Sequence, residues 1–164
     1  KPDLMSYLFG SILAVPSSDI VFMLVLNALI ILLVMAFFKE LQAISFDESF
    51  AFVVNVPVDQ LYMLLISLIA LTVVMTMRVV GLILVIALLT IPPAIAGMFV
   101  KDMKKMMALS VTLSIVFSSM GLLLSYYLNL TSGATIIMVA GLAYLASFAF
   151  KARQTAVAGK QNKP

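Results

Sequence analysis

The chain of 164 residues has no cysteine and no histidine. Without cysteine there is no disulfide, no thiolate metal site and no cysteine nucleophile. Without histidine the usual general base and the commonest transition-metal ligand are missing. No GxxxxGK[ST] loop occurs either, so the sequence does not predict ATP binding through that motif. These absences argue against an enzyme, and nothing in the sequence predicts a bound cofactor.

Charge is scarce as well, at 10% of the residues, where a soluble domain has about 25%. Hydrophobic residues make up 64% of the chain and the mean hydropathy is +1.22. Uncharged stretches occupy residues 20–38, 61–77, 79–100, 106–128 and 134–150. About 18 apolar residues are enough to cross the roughly 30 Å hydrocarbon core as a helix. The sequence therefore predicts an all-α, multi-pass membrane bundle of about five spans.

Two parts of the chain differ in composition. Residues 1–150 hold all the apolar stretches and are predicted to form the transmembrane domain. Residues 151–164 carry four basic residues and are predicted to be a disordered tail. The sequence opens at Lys1 without methionine or a signal-peptide segment, so we expect a fragment of a longer protein.

The stretch 61–100 is interrupted by a single charge, at Arg78. As one straight helix it would run about 60 Å, twice the membrane core, so two spans joined by a turn at 78–81 fit better. An arginine at a turn reaches the headgroups, whereas at mid-bilayer it costs about 2.5–3.5 kcal/mol. A helix break is predicted at Pro92 and Pro93, because a proline disfavours helical geometry in the residue before it.

The basic residues predict the orientation, since lysine and arginine favour cytoplasmic loops. The loop 101–105 and the tail 151–164 lie two spans apart, so one orientation places both inside. With five spans, residues 39–60 are then also inside and residues 129–133 are outside. A four-span arrangement satisfies the charges equally well, and only helix length favours five.

The most polar interior stretch is 39–60. Ser45 is predicted to cap a short helix with Glu48 as its capping-box partner, and Asn55 and Pro57 are predicted to end it. The predicted apolar face of this helix consists of Phe46, Phe50, Val53 and Val54. Such a helix is either an interfacial helix lying on the membrane or a lever that docks on a cytoplasmic partner.

The polar side chains and the methionines inside the spans each have two interpretations. The fourth span carries small residues on one helical face, namely Ser110, Ser114, Ser118, Gly121 and Ser125. Close helix packing is favoured over a polar path for an ion.

Asn27 is favoured as an interhelical hydrogen-bonding residue over a ligand. The 12 methionines are scattered and favour apolar filling over copper(I) binding. Because no acidic residue lies within a span, a carboxylate cation site there is disfavoured.

Four segments resemble, in the same order, signature segments of the bacterial zinc/manganese ABC-importer permeases. They are DLMSYLFGSIL at 3–13, SFDESFA at 45–51 with VPV at 56–58, VGLILVIALLTIP at 80–92, and GLLLSYYL at 121–128. The chain departs from the family pattern at Asn55, where the family has glycine, and at Pro93, where it has alanine. Asparagine is the next best residue for a left-handed backbone, so the turn at Asn55 is expected to persist.

The resemblance implies a permease like those of type-II ABC importers in the bacterial plasma membrane. It also implies that residues 1–150 are a partial permease domain, since family members carry further spans N-terminal to the first matching segment. Two permease copies would form the pathway, cytoplasmic ATP-binding subunits would drive alternating access, and an extracellular solute-binding protein would deliver the divalent metal ion. The residues that would dock on the ATPase are Ser45, Phe46, Asp47, Glu48, Phe50, Ala51, Asn55 and Pro57.

The resemblance assigns no metal-contacting residue to this chain, and it leaves zinc, manganese and iron open as substrates. Two alternative functions also stay open. One is a siderophore- or cobalamin-type permease of the same fold. The other is a membrane scaffold subunit without a transport path.

Overall fold

The computed structural model describes residues 16–161, with side chains as far as residue 154, and this part of the chain contains helices and no strands. The helices are α1 Ser17–Ala36, α2 Phe38–Phe46, α3 Glu48–Val53, α4 Val58–Val80, α5 Leu82–Phe99, α6 Met103–Leu128 and α7 Ser132–Gln161. The family-like segment 3–13 lies outside the described residues, as do residues 162–164. Helices suit these apolar runs because every backbone polar group is satisfied within the segment, which lipid requires.

The helices α1, α4, α5, α6 and α7 are long and apolar enough to cross a membrane, which confirms the prediction of five spans. The stretch 61–100 holds two of them, separated only by Gly81. Gly81 has φ 83° and ψ 156°, a conformation that glycine adopts and other residues rarely do. Arg78 lies in the last turn of α4, just before this break.

The predicted helix break at Pro92 and Pro93 is wrong, because α5 continues through both residues to Phe99. The prolines do remove two backbone N–H donors from the helix. Transmembrane helices tolerate this where neighbouring helices and local adjustment compensate for the lost bonds. Pro92 is among the largest fully buried side chains, so tertiary packing outweighs the local preference against a helix.

The disorder predicted for residues 151–164 is also contradicted over 151–161, where α7 continues as a helix. The segment KARQTAVAGKQ contains one glycine, and alanine, lysine, arginine and glutamine make up most of the rest. These four are strong helix formers. A span that already supplies a helical nucleus can therefore extend into this polar segment at low cost.

The chain forms two structural units, one of residues 13–79 and one that contains residues 80–164. In the second unit α5, α6 and α7 contact one another. Ile95, Phe117 and Ala140, one from each helix, are buried together. A Cβ atom built on Gly121 would lie 2.6 Å from the Cα of Ile136. The backbones of α6 and α7 therefore meet where glycine leaves room.

The unit of residues 13–79 buries less of its surface. No residue of α1 is buried, while α2 buries Leu41 and α3 buries Ala51. The helix α4 buries residues mainly at its start, with Val58 and Leu61 in its first two turns. This unit also contains the polar segment 38–60, which holds the residues predicted to dock on an ATPase.

Candidate functional site

The segment 38–60, which we call the hairpin, contains two short helices, α2 and α3, that are joined by Asp47 alone. Asp47 has an extended backbone, and its side chain accepts a hydrogen bond from the Phe50 N–H at 3.1 Å. This is N-cap geometry. Asp47, and not Ser45, therefore caps the helix.

Ser45 lies inside α2, and its hydroxyl donates to the Leu41 carbonyl at 2.7 Å. The predicted cap was wrong because residues 38–46 continue as a helix, which leaves Ser45 to bond one turn back. Glu48 is accordingly the first residue of α3 and not a capping-box partner. Both serine and aspartate are good N-caps, so the sequence alone did not distinguish them.

The exit from α3 is a tight left-handed turn at Asn55, with φ 66°. The Val56 N–H donates to the Ala51 carbonyl and the Asn55 N–H to the Phe52 carbonyl, both at 3.1 Å. This is the pattern of a Schellman motif, which satisfies the last carbonyls of a helix. The expectation that Asn55 supports a left-handed turn is confirmed, and Pro57 follows it directly before α4.

The surface of this hairpin is apolar and acidic. All four residues of the predicted apolar face are exposed, and Phe50 has 60% of its surface accessible. Phe52 is exposed beside them, whereas Ala51 is fully buried beneath. A groove of about 680 Å³ runs between α3 and the start of α4, and it is lined by Glu48, Ser49, Phe52, Val53, Val56, Pro57, Val58, Asp59 and Gln60.

This hairpin therefore presents aromatic rings and carboxylates on a short, capped helix. Exposed phenylalanines in a polar segment are typical of an interaction surface, because aromatic residues are enriched at protein interfaces. The caps at Asp47 and Asn55 fix where the exposed rings of α3 stand. The arrangement is suited to rigid docking against another protein.

Asn27 lies on α1 opposite two threonines of α4. It lines a small cavity together with Thr72 and Thr76, whose hydroxyls donate to the carbonyls one turn back, at 2.7 Å. The side chain of Asn27 is exposed in this chain. The two threonines were not among the residues predicted from the sequence, although two hydroxyl residues four apart in an apolar span indicate one polar helix face.

The small-residue face of α6 consists of residues with local bonds or close contacts. Ser110 donates to the Met106 carbonyl at 2.7 Å and Ser114 to the Ser110 carbonyl at 2.9 Å. Gly121 packs against α7, and Ser118 is half-buried. Close packing is shown at Gly121, whereas the choice between packing and an ion path for the serines stays a prediction.

Ser125, at the end of this face, closes the turn between α6 and α7. Its hydroxyl donates to the Leu130 carbonyl at 2.6 Å, across Asn129, which is left-handed with φ 51°. From the sequence, residues 129–133 were predicted to lie outside, and this bond was not predicted. No three histidine, cysteine, aspartate or glutamate side chains gather as a metal site within the described residues.

Comparison with known proteins assigns the chain to a family. The profile of the ABC 3 transport family matches residues 1–151 of the chain. The chain belongs to the ABC 3 transport family. It is accordingly a multi-pass membrane protein of a transporter family, and it is not an enzyme.

Two curated relatives of this ABC 3 chain are named for manganese. A manganese transport system membrane protein, MntC of Listeria monocytogenes, is 35% identical over 98% of the chain and 58% of the relative. A manganese import system permease protein, ScaB of Streptococcus gordonii, is 36% identical over 93% of the chain and 55% of the relative. The chain therefore spans somewhat more than half the length of these relatives.

A solved structure resembles this ABC 3 chain as well. It is PsaBC from Streptococcus pneumoniae in complex with Fab, which matches with a TM-score of 0.84 and 38% identity. The match covers 89% of this chain and 53% of the PsaBC chain. The helical fold of this chain is therefore similar to that of the PsaBC chain.

Proposed function

We propose that this chain is part of the permease subunit of an ATP-driven importer of a divalent metal ion. In this proposal it works in a bacterial plasma membrane beside a second permease copy. A cytoplasmic ATPase drives alternating access, and an extracellular solute-binding protein delivers the metal. The observation that carries the proposal is the family match over residues 1–151, supported by two relatives named for manganese.

Manganese is the substrate we propose first, because the names of the similar proteins point to it. Manganese prefers carboxylate, carbonyl and water ligands over thiolates. A chain without cysteine or histidine is compatible with such a substrate. Zinc and iron are the competitors against which the preference has to be measured.

The hairpin of α2 and α3 is the proposed contact with the ATPase. Three physical properties support this assignment: exposed aromatic rings, carboxylates beside them, and caps that hold the short helix rigid. A rigid lever passes motion from a partner to the spans on either side, here α1 and α4. The residues proposed to form this contact are Ser45, Phe46, Asp47, Glu48, Phe50, Ala51, Asn55 and Pro57.

Within this set the residues have different tasks. Phe46, Glu48 and Phe50 are exposed and would touch the partner. Asp47, Asn55 and Pro57 would shape the hairpin, since they cap α3 or end it. Ala51 is fully buried and would act through packing. Ser45 is exposed, and its hydroxyl would stabilise α2 through its bond to Leu41.

Substitution at Phe50 tests the proposal. Its ring is exposed, so Phe50→Asp leaves the fold of the chain intact while placing a charge in the docking surface. Loss of a hot-spot aromatic costs about 2 kcal/mol or more, which weakens docking roughly 30-fold. We expect manganese uptake and stimulated ATP hydrolysis to fall together in cells that express the protein with its transport partners, with unchanged membrane abundance.

Phe50→Leu is the matched control, because it keeps an apolar side chain at the same position. It should retain most of the uptake. Full uptake in Phe50→Asp would contradict the assignment of the hairpin while leaving transport intact. Absence of ATP-dependent metal uptake by the unsubstituted protein would contradict the transport proposal itself.

A further inference from the structure

Three helix segments converge at one end of the unit that contains residues 80–164. The end of α5 lies against the start of α6, since a Cβ atom on Gly97 would stand 3.5 Å from the sulfur of Met106. The helix α7 reaches the same place, because the Lys151 ammonium donates to the Met98 carbonyl at 2.8 Å. Residues far apart in sequence thus form one surface.

This surface is strongly basic. It carries Lys101, Lys104, Lys105, Lys151 and Arg153, all exposed, which we call the basic patch. Asp102 is the only acidic residue between positions 60 and 164. Its carboxylate already accepts a hydrogen bond from the backbone N–H of Lys104 at 3.1 Å, as the cap of α6. The patch therefore presents an excess of positive charge.

The basic patch lies where the apolar parts of the helices end. The apolar helix α5 ends at Phe99 and α6 begins at Met103, so residues 100–102 mark the boundary of the hydrocarbon core. Lysine and arginine side chains at such boundaries extend toward the headgroups. Basic pockets between transmembrane helices on the cytoplasmic side bind anionic lipid headgroups.

We propose that the basic patch binds the phosphodiester headgroup of an anionic phospholipid. The ammonium groups of the α5–α6 loop and of the first turn of α6, together with Arg153 of α7, surround the phosphate, and arginine offers the bidentate geometry that phosphate favours. A bound lipid would join the ends of three helices. The segment 40–60 has the opposite charge, with four acidic residues and no basic one, and would repel the same lipid.

Lipid binding to the purified protein tests this proposal. The protein in an uncharged detergent is titrated with phosphatidylglycerol or phosphatidylcholine, and one-to-one lipid complexes are counted by native mass spectrometry. The variant is Lys105→Gln with Arg153→Gln, which spares the Lys151 bond to Met98 and the cap at Asp102. Each basic residue contributes about fivefold in affinity, so phosphatidylglycerol binding should weaken roughly 25-fold.

A control variant removes two charges elsewhere, through Lys39→Gln with Arg78→Gln. It should bind phosphatidylglycerol like the unsubstituted protein, and phosphatidylcholine should bind weakly to all three. Equal weakening in both double variants would overturn the proposal, and so would equal affinity for the two lipids. Inorganic phosphate at matched ionic strength should not displace the lipid. Displacement by phosphate would make the patch a general anion site and contradict a lipid ligand.

Discussion

The two structural units bury their apolar surface to different extents. In the unit that contains residues 80–164, each span contributes a side chain to a shared interior, namely Ile95, Phe117 and Ala140. In the unit of residues 13–79, α1 buries nothing and α4 buries Leu68 alone beyond its first turns. The spans of the unit of residues 13–79 are on average the more hydrophobic ones, so hydrophobicity alone does not produce the difference.

Packing between helices in lipid depends on shape. Lipid tails are as apolar as leucine, so helices associate through close contact and small residues at the interface. The second unit has such residues where its helices meet, as Ala96, Gly121 and Ala140 are buried. The helix α1 exposes leucine, isoleucine and phenylalanine over most of its length. That surface is available to lipid or to another protein segment.

The largest stability effect is expected at Gly121. Replacing it with alanine would force the new methyl group into the side chain and backbone of Ile136. The helices α6 and α7 would have to separate, and such overpacking costs about 1–3 kcal/mol, occasionally more. The thermal unfolding temperature of the purified protein should fall clearly.

Gly141→Ala is the matched control, because a Cβ atom there meets nothing within 4 Å. It should leave the unfolding temperature unchanged or raise it, since alanine is the better helix former. If both glycine variants behave alike, close contact between α6 and α7 is not what holds this unit together.

A smaller contrast is expected between two leucines. Leu84 is 1% exposed and Leu24 is 64% exposed. Leu84→Ala opens a cavity, but in lipid only the packing part of the usual loss applies, so roughly 1–2 kcal/mol is expected. Leu24→Ala should change the stability by less than about 0.5 kcal/mol.

Unfolding measured in the same detergent compares the two leucines directly. A loss at Leu24 as large as that at Leu84 would mean that α1 is packed in the purified protein. It would then point to a second copy or another segment covering α1, and the comparison between the two units would have to be revised.

The spans were predictable from sequence because charge is so sparse. Each apolar run is bounded by charged or turn-forming residues, and Gly81 separates α4 from α5 within a few residues of the predicted turn. The signal at Asn55 was also sufficient, since few residues other than glycine adopt a left-handed backbone. These features are local, and local chemistry decides them.

The features that the sequence did not predict depend on contacts between distant residues. Burial of Pro92 keeps α5 continuous where the local rule favours a break. The bond from Lys151 to Met98 joins residues 53 positions apart. The contact of Gly121 with Ile136 depends on how two helices are rotated against each other. Periodicity identifies a helix face but not the residue that it meets.

Sidedness tests the central claim most directly, because a cytoplasmic ATPase can dock on the hairpin of α2 and α3 only if that hairpin lies inside. The chain has no cysteine, so single cysteines at the exposed positions Ser49 and Thr131 can be labelled without background. With a membrane-impermeant maleimide on intact cells, the account predicts that Thr131→Cys reacts and that Ser49→Cys reacts only after permeabilisation. Labelling of Ser49→Cys from outside would contradict the account.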